Sequence, residues 1–230
     1  ITTISYMLPS GCLETKMLTV VDNPPMITGT MKACPGTTSI LGNPVPGGIW
    51  SVSDTWIATI DPFTGVLTGV TSDTTTVTYT IPPGCVTASK IVVYPLPSPI
   101  TGPDVLCPGA SDTMRSEPWG GNWTSGTLAV ATIDTGGIVS AVWSGVSSIV
   151  YSLPSGCYRS KLLSVNPIPK PWIAYNFAIQ SFVAQPGYVT YQWYDSIQGK
   201  IPGATSPSLA ALNNEFYFVE VTDSNGCVGR

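Results

Sequence analysis

Chemistry in this chain must come from a short roster of side chains. It has six Cys, thirteen Asp plus Glu, nine Lys plus Arg, seven Trp and no His. The missing His removes the commonest general base and the commonest metal ligand. A Ser or Cys nucleophile would need a Lys or a carboxylate beside it, and no G-x-S-x-G elbow is present. Asp61 and Asp134 head the turns "DPFTG" (61–65) and "DTGG" (134–137). They read as turn formers, because a calcium loop needs oxygen ligands at alternate positions and neither segment supplies them. A glycoside hydrolase would need two acids facing each other, and these two sit at corresponding turns of different segments. The sequence therefore predicts no enzyme: no catalytic residue, no metal site and no cofactor.

The cysteines are the strongest chemical signal. No C-x-x-C spacing suggests a metal, so they read as disulfides formed in an oxidising compartment. Buried free thiols are the alternative. Which cysteines pair depends on the elements that hold them.

Those elements are written in repeats. "GGIWSVSDTWIATIDPFTGVLTGVTSDTTTVTYTIPPGC" (47–85) lies over "GGNWTSGTLAVATIDTGGIVSAVWSGVSSIVYSLPSGC" (120–157). Gly47-Gly48-x-Trp50 matches Gly120-Gly121-x-Trp123, and Ala58-Thr59-Ile60-Asp61 matches Ala131-Thr132-Ile133-Asp134. Cys34 and Cys107, each followed by Pro-Gly, stand 73 residues apart. Residues 22–94 and 95–166 are thus two copies of one module. Residues 1–21, "ITTISYMLPSGCLETKMLTVV", match only the last two strands of that module. Residues 167–230 lack both motifs and read as a different sandwich module, stopped before its last strand. Both ends look cut, so the expectation is a window on a longer array.

Within each copy the apolar period is two. Val77, Tyr79 and Ile81 alternate with Thr76, Thr78 and Thr80; Ile149, Tyr151 and Leu153 repeat the set, as do Ile4, Tyr6 and Leu8. Such runs, broken by Gly, Pro and Asp, are half-buried strands. Pro-x-Gly-Cys reads as a hairpin turn, with Pro presetting φ and Gly supplying a positive one. About seven short strands per module predict an all-β fold of antiparallel β-sandwiches in tandem. In 167–230, Val189, Tyr191 and Trp193 form one inward set and Phe216, Phe218 and Val221 another, with a bulge. On this reading the bridges are Cys34–Cys85 and Cys107–Cys157, one per complete module. Cys12 and Cys227 are left over, their mates upstream and downstream, or Cys227 free.

The motifs "GGIWSVSD…IATID…TGVLTGV…TVTY" and its partner resemble bacterial immunoglobulin-like repeats, of the kind strung together in large surface proteins of Bacteroidota. "YQWYDSIQGKIPGATSPSL…FYFVEVTDSNGC" resembles the related polycystic-kidney-disease-type module. The resemblance implies tandem immunoglobulin-like antiparallel β-sandwiches, beads on a string, that serve as extracellular stalks, spacers, adhesive heads or accessory domains. Asp73-Thr74-Thr75, Asp112-Thr113-Met114 and Asp195-Ser196-Ile197 resemble the O-glycosylation sequon of Bacteroidota, which makes Thr74, Thr113 and Ser196 candidate glycan sites. Asn122-Trp123-Thr124 fits the N-glycosylation pattern of a eukaryotic secretory route.

Trp50, Trp123 and Trp193 fall where such sandwiches carry their core Trp. Trp56, Trp119, Trp143 and Trp172 break the repeat, so the shared core does not require them. They are candidates for packing against a neighbouring module or chain, for stacking on sugar rings, or for ordinary partial burial.

A net charge of −4 with scattered cations gives no basic stripe for nucleic acid. No apolar run approaches the length of a membrane span, and "ITTISYML" lacks the positive start of a signal peptide. The sequence thus predicts an extracellular, non-enzymatic structural or adhesive repeat region of a surface protein, stalk or filament. Its partners are neighbouring modules of the same longer chain, like chains in a filament, or glycans. The rival readings are carbohydrate-binding modules of a secreted enzyme and a self-assembling pilin-like subunit.

Overall fold

A computed structural model of the chain describes residues 1–210 and 216–230. The described residues contain strands and turns and no α-helix. They form two compact bodies: Ile1–Leu96 with Ser155–Cys157, and Pro97–Pro154 with Tyr158–Arg230.

The first body opens with a hairpin, β1 (Thr2–Met7) and β2 (Leu13–Leu18), paired only with each other. Then follow β3 (Thr28–Gly29), β4 (Lys32–Ala33), β5 (Thr38–Gly42), β6 (Ile49–Val52), β7 (Ala58–Ile60), β8 (Val66–Gly69), β9 (Asp73–Ile81) and β10 (Cys85–Val93). They make two four-stranded sheets, ordered β4-β10-β9-β6 and β3-β5-β8-β7. All pairings are antiparallel except β4 with β10, which runs parallel and sets Ala33 beside Val93. The alternation read from the sequence sets the core: Thr75, Val77, Tyr79 and Ile81 are buried on one face of β9, and Leu41, Trp50, Leu67, Ile91 and Val93 complete the packing.

The second body holds β11 (Val105–Leu106), β12 (Ser111–Thr113), β13 (Asn122–Ser125), β14 (Ala131–Ile133), β15 (Ile138–Ala141), β16 (Gly145–Ser152) and β17 (Tyr158–Val165). The sheet β11-β17-β16-β13 reproduces β4-β10-β9-β6, including the parallel first pair, and β12-β15-β14 reproduces β5-β8-β7. Span 47–85 and span 120–157 therefore fold alike.

The motif residues explain themselves in this fold. Tyr79 Oη donates to Val45 O (2.6 Å) and accepts from Gly48 N (2.8 Å), and Tyr151 does the same with Pro118 O (2.7 Å) and Gly121 N (2.8 Å). A Cβ on Gly48 or Gly121 would overlap the tyrosine ring, so that position of Gly-Gly-x-Trp must be glycine.

The same body also carries β18 (Ile173–Asn176), β19 (Ser181–Ala184), β20 (Thr190–Asp195), β21 (Gly199–Lys200), β22 (Ser208–Ala210), β23 (Tyr217–Thr222) and β24 (Val228–Gly229). They form sheets β18-β19-β22 and β21-β20-β23-β24. Trp193 is fully buried, its indole N–H donating to Ser206 O (2.9 Å). The inward set differs from the expected one. Tyr191 and Trp193 point in, but Val189 precedes the strand and is exposed. On β23 the buried residues are Val219 and Val221, while Phe216 lies outside the strand in solvent. Simple alternation from Val221 explains this, without a bulge.

Candidate functional site

The disulfides depart from the expected pairing. Cys34 bonds Cys157 (Cα–Cα 5.6 Å) within the first body, and Cys107 bonds Cys227 (Cα–Cα 5.4 Å) within the second. Cys12 and Cys85 are free. The reason is the parallel pair β4–β10. It puts Ala33, and so Cys34, at the Val93 end of β10, whereas Cys85 is the first residue of that strand. Eight residue steps at about 3.3 Å separate those ends by roughly 26 Å. A disulfide tolerates Cα separations of only about 4.4–6.8 Å. Cys107 and Cys157 stand apart for the same reason, at opposite ends of β17.

What the bridges join is a turn and a hairpin tip. Cys34-Pro-Gly is tied down by Thr37, whose amide donates to Cys34 O (3.0 Å), and by Gly36 N donating to Gly69 O (2.9 Å). In the second copy Ala110 N donates to Cys107 O (3.0 Å) and Gly109 N to Ala141 O (2.8 Å). The partner cysteines lie at hairpin ends: Cys157 after Pro154-Ser-Gly, and Cys227 in the turn after β23, where Asp223 accepts from its amide (2.9 Å). Cys157 and Cys227 are fully buried. Each bridge thus joins the Cys-Pro-Gly turn of one repeat to the hairpin of the following one. No local sequence pattern signals this. The clue is the length of β10 and β17, which rules out pairing inside a module once the parallel edge strand is recognised.

Asp61 and Asp134 serve turns. Asp61 Oδ1 accepts from Phe63 N (3.0 Å) and Thr64 N (2.7 Å), and Asp134 Oδ1 from Gly136 N (2.9 Å) and Ile138 N (2.8 Å). The Thr64 amide, then the Thr64 hydroxyl and the Phe63 amide, hold the Asp61 carboxyl below its usual range. Among the described residues, no three His, Cys, Asp or Glu side chains converge as a metal site would require.

Trp50 and Trp193 are buried and Trp123 is half-buried. The four that break the repeat are all exposed: Trp56 by 81%, Trp119 by 76%, Trp143 by 70% and Trp172 by 52%. Trp56 and Trp143 share a location that alignment alone hides. Thr71, the counterpart of Trp143, donates its hydroxyl to the carbonyl of Trp56. Each copy therefore sets one bare indole on the same pair of neighbouring loops. Trp143 also lines a cavity of about 430 Å³ with Pro108, Val142, Pro167, Ile168 and Lys170.

Of the candidate glycan sites, Thr74 and Ser196 are exposed and Thr113 is half-buried in β12. Asp73 and Asp112 accept from the amides of the following Thr74 and Thr113. Asp195 is buried and accepts from Ile197 N and Gln198 N.

No family model matches the sequence, and no curated protein matches it. Solved structures do. A C-terminal fragment of intimin, crystallised with the intimin-binding domain of its translocated receptor, is 12% identical with a TM-score of 0.42; the match covers 69% of this chain and 68% of the fragment. Invasin, a bacterial integrin-binding protein, is 14% identical with a TM-score of 0.41, over 71% of this chain and 43% of invasin. Repeats 22–24 of mouse cadherin-23 are 12% identical with a TM-score of 0.27, over 90% of this chain and 96% of that one.

Proposed function

We propose that this chain is a structural or adhesive repeat region of an extracellular surface protein, a stalk or filament built from immunoglobulin-like modules at 22–94, 95–166 and 167–230. The observation that carries the reading is the pair of bridges, Cys34–Cys157 and Cys107–Cys227, each joining the Cys-Pro-Gly turn of one repeat to the hairpin of the next. Disulfides that close loops of more than a hundred residues restrict the unfolded chain strongly and persist outside reducing compartments. Such construction suits a part that holds position under load. Origin in a bacterial surface protein of Bacteroidota rests on the sequence resemblance.

The test is surface exposure. Antibody raised against residues 22–166 should label intact cells of the source organism, and protease added outside should remove the signal. Labelling that requires permeabilised cells would reject the reading.

A second reading, glycan contact, is favoured by the solvent-exposed indoles Trp56 and Trp143. It expects binding on a glycan array that Trp56→Ala or Trp143→Ala abolishes.

A further inference from the structure

Among the described residues, the hairpin β1–β2 presents an exposed core-type face. Ile4, Tyr6, Leu8, Leu18 and Val20 correspond by the repeat to Val77, Tyr79, Ile81, Ile91 and Val93. The latter five are 0–7% exposed, whereas the former five are 45–71% exposed. The registers agree as well: Ile4 faces Lys16 and Tyr6 faces Glu14, as Val77 faces Ser89 and Tyr79 faces Thr87. A two-stranded ribbon is at best marginally stable in water alone, and a contiguous exposed apolar face of this kind is the usual mark of an interaction site.

Cys85 supplies a second, independent observation. It is the repeat counterpart of Cys157, at the tip of β9–β10. Its Sγ lies 3.6 Å from the carbonyl oxygen of Val21, and the Sγ of Cys157 lies 3.6 Å from that of Tyr94, the counterpart of Val21. Cys157 is bridged in that setting to a Cys-Pro-Gly cysteine, while Cys85 holds the same setting as a free thiol.

We propose that β1–β2 and Cys85 together form the acceptor for the leading strands of a further immunoglobulin-like module, whose Cys-Pro-Gly cysteine bonds Cys85 as Cys34 bonds Cys157. The inference rests on the repeat architecture proposed above and not on the adhesive role. The partner would bring strands equivalent to β3–β8, with a tryptophan to pack against Tyr6 as Trp50 packs against Tyr79. A second copy of this chain is a poor occupant. Its own strands of that kind are already paired, and both its Cys-Pro-Gly cysteines are bonded. Forming the new bridge converts two thiols to one disulfide. The two protons and two electrons pass, by thiol–disulfide exchange, to a disulfide-bearing oxidoreductase that leaves as a dithiol.

The test adds a copy of residues 22–73 directly before Ile1, keeping the whole native chain. By the repeat, residue 73 precedes the position of Ile1, so the copy and residues 1–21 make one full module. Both proteins are denatured, alkylated without reduction and mapped. The native chain should be alkylated at two cysteines, Cys12 and Cys85. The extended chain should be alkylated at Cys12 alone, with the Cys85 peptide joined to the added cysteine. An alkylated Cys85, or an added cysteine bonded to Cys12, overturns the proposal. A second variant replaces residues 1–21 with a copy of 22–94 whose hairpin cysteine is Ser, so that every strand of the added module is one already seen to fold. If Cys85 stays alkylated there while Cys34–Cys157 and Cys107–Cys227 persist, the idea fails, as it does if native chains dimerise through Cys85–Cys85. These readouts use purified protein, so they stand whether or not surface labelling succeeds.

Discussion

The rings of Trp50 and Tyr79 meet with centroids 4.5 Å apart and planes tilted by 46°. Trp123 and Tyr151 repeat both values. In each copy the tyrosine does two jobs: its ring packs on the tryptophan, and its hydroxyl ties down the loop carrying the Gly-Gly pair. Tyr79→Phe keeps the ring but leaves Gly48 N and Val45 O without their partner. A loss of about 1–3 kcal/mol is expected from two groups stripped of a hydrogen bond in a part-buried site. Urea unfolding followed by Trp fluorescence measures it, and Tyr151→Phe should cost a similar amount. A change under 0.5 kcal/mol, as an order of magnitude for a neutral surface substitution, would show that water replaces the hydroxyl freely.

Cys107→Ser removes the bridge to Cys227 and leaves a buried thiol behind. The bridge closes a loop of 120 residues, which the chain-entropy model values at about 4–5 kcal/mol. The variant should unfold at markedly lower urea than the native chain, and peptide mapping should find Cys227 alkylated and Cys34–Cys157 intact. Recovery of a Cys107–Cys157 peptide from the native chain would contradict the connectivity.

The strands and the hairpins were legible because each depends on residues close in sequence or on a strict period, whereas the Trp–Tyr pairs join strands far apart in sequence and only the fold shows them. Val77, Tyr79 and Ile81 are buried on alternate positions as their pattern requires. That cysteines form disulfides was legible, but their pairing was not, because it depends on β4, a two-residue strand with no pattern of its own. Its parallel contact with the end of β10 decides which cysteines can meet. The inward face of β23 was misread because three aromatics in a row, Phe216, Tyr217 and Phe218, look alike as hydrophobes. Only burial separates Val219 and Val221 from them.

Asp61 gives a pH dependence of known sign. Its carboxyl is held below its usual value in the folded state by the Thr64 amide, the Thr64 hydroxyl and the Phe63 amide. A depressed folded pKa means stability that is present above the unfolded value, near 4, and lost as pH falls through the folded one. Asp61→Ala removes the acceptor. The gap in melting temperature between native and variant should be full at pH 6–7, where the carboxylate accepts all its turn hydrogen bonds, and should shrink steadily below about pH 4. A gap that stays constant down to pH 2 would assign the effect to turn shape instead of charge.

Trp56 and Trp143 offer the clearest separation of stability from contact. Both indoles are mostly in solvent, at 81% and 70% exposure, so neither contributes much to folding. Trp56→Ala and Trp143→Ala should each leave the urea midpoint within an error of about 0.5 kcal/mol, as expected for surface positions. Their effect should fall on association. A large aromatic that anchors an interface costs about 2 kcal/mol or more when truncated, roughly thirtyfold in affinity. Sedimentation of the native chain at rising concentration, beside the two variants, reads this directly for like-chain packing, and a glycan array reads it for sugar. Trp56 and the counterpart of Trp143, Thr71, lie on neighbouring loops of the first copy. If each indole contributes separately, the double variant should lose more than either single one. If the double variant matches the native chain in both measurements, the exposed tryptophans are ordinary surface residues.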